Sequence, residues 1–307
     1  MTNLERWQMI LEDVPDEEYQ SCLSRIFYPT IVFDVDSCIG PEGIDELGRI
    51  HHKTEEIAGM TRSAMGGDLS YDDVFAKRLD LTQPRESDLQ TVADNYLRHM
   101  IKDTLEVFQA LRAIGMDIHL LSGGFDAAIY PLAQYLGVPK NNVHANTLIF
   151  DANGNYQGFD RQNPLSRQGG KKTVLEALLA EKRIYKPLAI VGDSITELET
   201  APVTDIRIGF GGFVQRQRVI EETDVFLTQP AFAPLVPLVL DNLHIKEILD
   251  YHPKHRPILQ KGLALIPSIR FNNRALKLQE SLQITSDQIP VSAFDPKAPI
   301  FPIWNGY

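Results

Sequence analysis

Three short runs constrain this chain more than any other feature: TIVFDVDS around Asp34, DIHLLSGG ending at Gly124 and LAIVGDS ending at Ser194. Each is almost continuously apolar and then stops on acidic, hydroxyl or glycine residues. A strand covered by helices on both faces has no solvent side to alternate toward, so it is written as an unbroken apolar run. Between the runs lie segments with helical spacing, Leu105, Phe108 and Leu111 before the second and Phe125, Ile129, Leu132 and Leu136 after it. Strand alternating with helix predicts an α/β fold, a doubly wound, Rossmann-like parallel sheet with helices on both faces. Ligands of such sheets bind beyond the carboxyl ends of the strands, which would bring the polar endings of all three runs to one crevice.

Residues 42–98 do not follow that alternation. GIDELGRI, EEIAGMTRSAMGG and YDDVFAKRLDL are polar and helical in pattern, and predict a small helical cap inserted after the first strand. The expected organisation is a core of residues 1–41 and 99–232, a cap of 42–98 and an extension of 233–307. NVHANTLIF, DANG and NYQGFD predict a hairpin with a tight turn at Asn153-Gly154. A helix from about Leu235 to Asp250 is expected next, and after it a tail rich in Pro and Asn.

Composition removes several classes of function. A formal charge of -11 argues against nucleic acid as a partner, because phosphate backbones are held by clustered Lys and Arg. An anionic ligand must then be captured locally. No stretch of about 18 apolar residues occurs, so no membrane span is expected. The start, MTNLERWQMILEDVPDEEYQ, lacks the basic end and apolar stretch of a secretory signal. Cys22 and Cys38 are the only cysteines, too few for a disulfide framework, and a reducing, cytoplasmic setting is the expectation.

Asp34 and Asp36 stand two apart in FDVDSC, which puts both side chains on one face if strand geometry persists. Attack on phosphorus needs an ionised carboxylate beside a hard cation, and the departing alkoxide needs a proton from a second group. Asp193, at the end of VGDS, would complete an oxygen-rich Mg2+ site. Taken alone, two aspartates after a strand are equally the mark of an Asp-rich turn; the convergence of the third favours the metal. Ser122, Gly123 and Gly124 end the second run and open a helix, where a hydroxyl and free N–H groups can grip an anion, although a plain glycine turn has the same sequence. Lys171 in RQGGKKTVLEAL would balance phosphate charge. A nucleotide-binding loop is excluded there, since it requires glycine at position 165 and Ser or Thr at 172, where this chain has Leu165 and Lys172.

The ordered set DVDSC, LSGGF, GGK and GDSITE resembles the four motifs of the haloacid dehalogenase (HAD) superfamily of phosphotransferases. EGIDEL, MTRSAMGG and IGFGGFVQRQ extend the likeness to the phosphoserine phosphatase family, from about Phe27 to about Leu227. The resemblance implies Asp34 as nucleophile and Asp36 as general acid, then general base toward water. It implies Mg2+ on Asp34, the carbonyl of Asp36 and Asp193, with Glu197 outside that shell. Ser122, Gly123 and Lys171 would bind phosphate; Glu42, Met65, Tyr71, Arg78 and Thr196 would meet the rest of a small phosphorylated metabolite. An Arg fork suits a carboxylate, whereas without the resemblance Arg78 reads as a surface residue of the cap.

Four departures from the family pattern stand out: Cys38 for Thr or Val, a loop Ile39-Gly40-Pro41 one residue short, Ser194 for glycine, and Glu197 for Asp. Three readings follow: hydrolysis of phosphoserine, action on another small phosphomonoester or transfer to an alcohol, and an inactive descendant that binds a partner. Glu42, Met65, Tyr71 and Arg78 discriminate between the first two. His252 and His255 in YHPKH have a ligand-like spacing, but Pro253 and the lack of further ligands favour an ordinary surface. The closing APIFPIWNGY carries large apolar groups that need covering, by the chain's own domain or by a second copy in a homodimer.

Overall fold

Residues 26–65 and 71–288 are described in the computed structural model, the side chains of 61–65, 71 and 283–288 excepted. The three apolar runs form strands β1 (Thr30–Phe33), β2 (Asp117–Phe125) and β6 (Leu188–Gly192), and they lie side by side. Both neighbours run parallel to β1, with Phe33 level with Leu120 on one side and Val191 on the other. Burial on two faces is what made these runs continuous. Ile31 and Phe33 enter one core, whereas Val32 enters another with Leu121, Ile190, Leu175 and Leu178.

The seven strands are ordered β3-β2-β1-β6-β7-β8-β9, where β3 is Val143–Asn146, β7 Ile206–Phe210, β8 Val225–Leu227 and β9 Arg270–Phe271. From β1 the chain builds the sheet outward through β2 and β3, then returns to the other side of β1 with β6. The strand order therefore reverses between β1 and β6, the place where open α/β sheets hold their ligands. Asp34 and Asp193 are the residues that follow those two strands.

Helices α1 (Gly43–Ile50), α2 (Thr54–Met65), α3 (Tyr71–Thr82) and α4 (Asp88–His99) follow β1. The buried residues of α4, Leu89, Val92, Ala93 and Tyr96, recur at one helical face and pack it on α6 (Asp126–Leu136), which follows α5 (Thr104–Ala113) and β2.

The region expected as one hairpin is divided. Val143–Asn146 joins the main sheet, and only β4 (Leu148–Phe150) and β5 (Tyr156–Phe159) pair as a hairpin. Its connection is not a two-residue turn: Asp151 accepts hydrogen bonds from the backbone N–H of Asn153 and Asn155, and Gly154 takes φ +75°. The hairpin meets α3 through an edge contact of Phe159 with Phe75, ring centroids 5.0 Å apart.

The C-terminal region also differs from expectation. After α7 (Gly170–Ala180), α8 (Ile195–Leu198) and α9 (Gln217–Glu222) the single helix anticipated over 235–250 is two, α10 (Leu235–Val239) and α11 (Asn242–Tyr251). Asp241 separates them because its carboxylate accepts from the His244 N–H and starts a new helix. With α12 (Arg256–Leu265) and α13 (Leu276–Gln288) the segment belongs to the core: Leu235, Val236, Leu238, Leu259 and Leu263 are fully buried. Burial of each such side chain is worth about 1.5–3 kcal/mol. Asp103 fastens the segment, accepting from the N–H groups of Phe232 (2.8 Å) and Ala233 (2.9 Å) and from Lys261 (3.0 Å). Strand β9 pairs antiparallel with β8, so the sheet is parallel but for a two-residue strand on its last edge. The closing APIFPIWNGY and Cys22 lie outside the described residues. No helix among the described residues is long and apolar enough to cross a membrane.

Candidate active site

At the carboxyl ends of β1 and β6 three carboxylates converge. Asp34, Asp193 and Glu197 are all buried, and one oxygen of each lies within 4.8 Å of the others. Asp34 follows β1 and accepts from its neighbour's N–H, Val35, at 2.8 Å. Glu197 is carried on α8, where it and Ser194 form a reciprocal cap: its Oε2 accepts from the Ser194 N–H at 2.9 Å. Gly192 makes room for it, since a Cβ there would sit 2.4 Å from the Glu197 carboxyl carbon. Glu197, expected outside the metal shell, thus lies with its carboxylate beside those of Asp34 and Asp193.

Two cations answer these three acids. Lys171, in the first turn of α7, donates to Asp34 Oδ1 at 2.8 Å and to Glu197 Oε1 at 2.5 Å. Burial works against its charge, but the two carboxylates outweigh that and hold the ammonium above its ordinary pKa. Arg216 donates to a carboxylate oxygen and to the backbone carbonyl of Asp193. Even so, the Asp34 carboxyl is pushed well up, first by burial and then by Glu197 and Asp36, with Lys171 opposing. An all-oxygen set of three buried carboxylates, short of positive charge, fits a hard divalent cation. Among the described residues it is the only such group, and His252 and His255 are not part of one.

Strand geometry does not persist to Asp36 as anticipated. β1 ends at Phe33 and Ser37 adopts a left-handed φ of 57°, so Asp36 lies on a tight loop. Its carboxylate is placed by three donors instead: Gly43 N–H (2.7 Å) and the Tyr96 hydroxyl (2.6 Å) on Oδ1, and the Ser122 hydroxyl (2.6 Å) on Oδ2. Nor do Ser122, Gly123 and Gly124 terminate their strand. β2 continues to Phe125 with a register shift against β3 between Leu121 and Phe125, so the glycines form an irregularity inside it. Gly124 is required there, because a Cβ would lie 2.2 Å from Asp36 Oδ2. The Gly123 carbonyl is held by the Asn146 amide at 2.8 Å.

Glu42 precedes α1 and accepts from the Ser37 hydroxyl at 3.1 Å. Its carboxyl is pushed up to about 7, chiefly by burial and then by Asp36, while Arg78 pulls it down. Glu42 and Arg78 therefore sense one another. The Arg78 Nε is buried with no hydrogen-bond partner among the described residues. Thr196 does not stand free: its hydroxyl is engaged with Ser194 (2.7 Å) and Glu197 (2.8 Å). The side chains of Met65 and Tyr71 lie outside the described set.

No protein-family model matches the chain. It is 37% identical over 209 residues to the phosphoserine phosphatase of Homo sapiens, an alignment covering 67% of this chain and 92% of that one. The chain belongs to the phosphoserine phosphatase family. It is also 36% identical over 198 residues to the chloroplastic phosphoserine phosphatase of Arabidopsis thaliana, covering 63% of this chain and 66% of the other. Among solved structures it is similar to a phosphoserine phosphohydrolase-like protein from Francisella tularensis, with a TM-score of 0.61, 25% identity, and coverage of 69% of this chain and 99% of that one. Membership places it in the HAD superfamily.

Cys38 is fully buried with its Sγ toward the Val191 carbonyl, 4.0 Å away, so it packs on β6. Three residues of the site were missed in the sequence. Tyr96 hides in the apolar stripe of α4, Asn146 ends an edge strand, and Arg216 sits in FVQRQ, a stretch that carries the family likeness but in which nothing singles out the arginine. An aromatic placed within an apolar stripe gives no signal that its hydroxyl meets a carboxylate.

Proposed function

We propose that this chain is a magnesium-dependent phosphomonoesterase that converts O-phospho-L-serine to L-serine and phosphate through an aspartyl-phosphate on Asp34. The observation that carries the reading is Asp34 itself, at the strand reversal, beside Lys171 and within 4.8 Å of the Asp193 and Glu197 carboxylates. Membership of the phosphoserine phosphatase family supports the substrate.

Asp34, Asp193 and the backbone carbonyl of Asp36 would hold Mg2+, with Glu197 at its edge, and the ion supplies positive charge to phosphate oxygens. The chain's own groups do the rest. An Asp34 oxygen attacks phosphorus as the bond to the serine oxygen breaks, and Asp36 delivers the proton that oxygen needs. Asp36 then takes a proton from the water that splits the aspartyl-phosphate. Ser122, the Gly123 N–H and Lys171 hold the phosphate. Glu42 receives the substrate ammonium, and the guanidinium of Arg78, whose Nε has no partner among the described residues, its carboxylate. Met65, Tyr71 and Thr196 complete the substrate wall. The compartment is cytoplasmic, and the ligand a small metabolite rather than a nucleic acid.

The test is phosphate release from a panel of small phosphomonoesters including L-phosphoserine, with and without Mg2+, in wild type and Asp34→Asn. Magnesium-dependent turnover that favours phosphoserine and disappears in the variant is expected. Preference for another ester discards the substrate; turnover by Asp34→Asn discards the mechanism.

A further inference from the structure

Asp36 is fixed by an unusual partner. Tyr96 is fully buried on α4, 60 positions along the chain, and its hydroxyl lies 2.6 Å from Asp36 Oδ1. Two glycines are shaped to it: a Cβ at Gly40 would stand 2.8 Å from the ring, and one at Gly43 would stand 2.4 Å from the phenol oxygen. A buried phenol needs an acceptor, and any backbone carbonyl would serve. Here the acceptor is a side-chain oxygen of Asp36, which lies beyond the end of β1 and is bridged through its backbone to Gly40.

The two carboxylate oxygens are not equivalent. Oδ1 accepts from Gly43 N–H and Tyr96, whereas among the described residues Oδ2 accepts from Ser122 alone. If phosphate takes the Ser122 hydroxyl, Oδ2 is released while Oδ1 stays occupied. We propose that Tyr96 is a positioning residue that anchors Asp36 through Oδ1, so that Oδ2 carries the proton delivered to the leaving alcohol. This rests on the role given to Asp36 above. The step is balanced: the phosphorus–oxygen bond to the alcohol breaks, the bond from Asp34 to phosphorus forms, and the Oδ2 proton moves to the alcohol oxygen. Tyr96 gives up no proton.

The test uses the full chain with saturating Mg2+ and two esters, L-phosphoserine and p-nitrophenyl phosphate, whose nitrophenolate leaves without a proton. kcat/KM reads only the steps up to departure of the alcohol. In Tyr96→Phe, which keeps the packed ring, kcat/KM for phosphoserine should fall by about 10- to 100-fold, a loss within the range of general acid catalysis. For p-nitrophenyl phosphate it should stay within about 3-fold, because that leaving group draws nothing from the acid. Gly43→Ala retains the tyrosine but places a methyl against its hydroxyl, and should show the same contrast. An equal fall for both esters would make Tyr96 a packing residue, and no fall for either would make its bond irrelevant; both outcomes overturn the proposal. A wild type inactive on both esters would instead remove the phosphatase reading, and this inference with it.

Discussion

Replacing Lys171 by Met removes a cation whose ammonium lies 2.8 Å from Asp34 and 2.5 Å from Glu197, with all three side chains less than a tenth exposed. The thioether fills similar volume, so the change is one of charge. Three clustered carboxylates would then face Arg216 as the remaining cation in contact with them among the described residues. Breaking a buried pair by deleting one partner costs about 3–5 kcal/mol. For a chain of this size each kcal/mol moves the melting temperature by about 2–3 °C, so the variant should melt about 6–15 °C below wild type in chelator. The penalty should shrink toward pH 5, because the stranded carboxyls can then take protons instead of remaining charged. Magnesium at a hundred times its dissociation constant restores about 2.7 kcal/mol. The variant should gain at least as much as wild type, since a charge repelling the ion has gone. Scanning calorimetry at pH 8 and pH 5, with chelator and with Mg2+, reads all of this. An unchanged melting temperature in chelator would refute the charge argument, and indifference of both proteins to Mg2+ would refute the cation site.

Arg78→Ala should raise KM for phosphoserine by about 30- to 1000-fold with kcat little changed, the signature of lost uniform binding, in steady-state kinetics; a KM within 3-fold of wild type removes Arg78 from the substrate. With the Glu42 carboxyl pushed up to about 7, its charge is lost as pH falls through that value, so KM should climb below about pH 7 in wild type and stay flat in Glu42→Gln. Asp103→Ala strands two backbone N–H groups and Lys261, and should lower stability in urea by about 3 kcal/mol, exposing the C-terminal helices to limited proteolysis first. His144 is held down to about 4, chiefly by burial, with His119 and Arg183 adding to it. Its folded pKa lies below the unfolded value of 6.5, so its contribution to stability is full above that value and is lost as pH falls toward 4. Urea titrations of His144→Asn should show about 2 kcal/mol less pH dependence over that interval than wild type, the shift being discounted for partial exposure.

The amino-acid sequence alone determined β1, β2 and β6 and the acids that end β1 and β6. Burial on both faces writes a strand as a continuous apolar run, and the chain leaves the sheet where polarity returns, so Asp34 and Asp193 were legible as crevice residues. Lys171 was legible from its glycines, and the helical character of 42–98, outside 66–70, from local pattern. The tertiary structure alone decided how these groups are held. Tyr96 meets Asp36 across 60 positions, and its ring is indistinguishable in sequence from the Leu89 and Val92 that share its face. Glu197 enters the acid cluster because Gly192 leaves space beside it. Strand β9 is two residues long, too short for any periodicity, and exists because β8 offers it an edge. The bonds that bind the C-terminal helices to Asp103 run to backbone N–H groups, which every residue but proline possesses and no sequence pattern marks. Local pattern records which face of an element is dry; which polar atom meets which across the fold is set only when the elements pack.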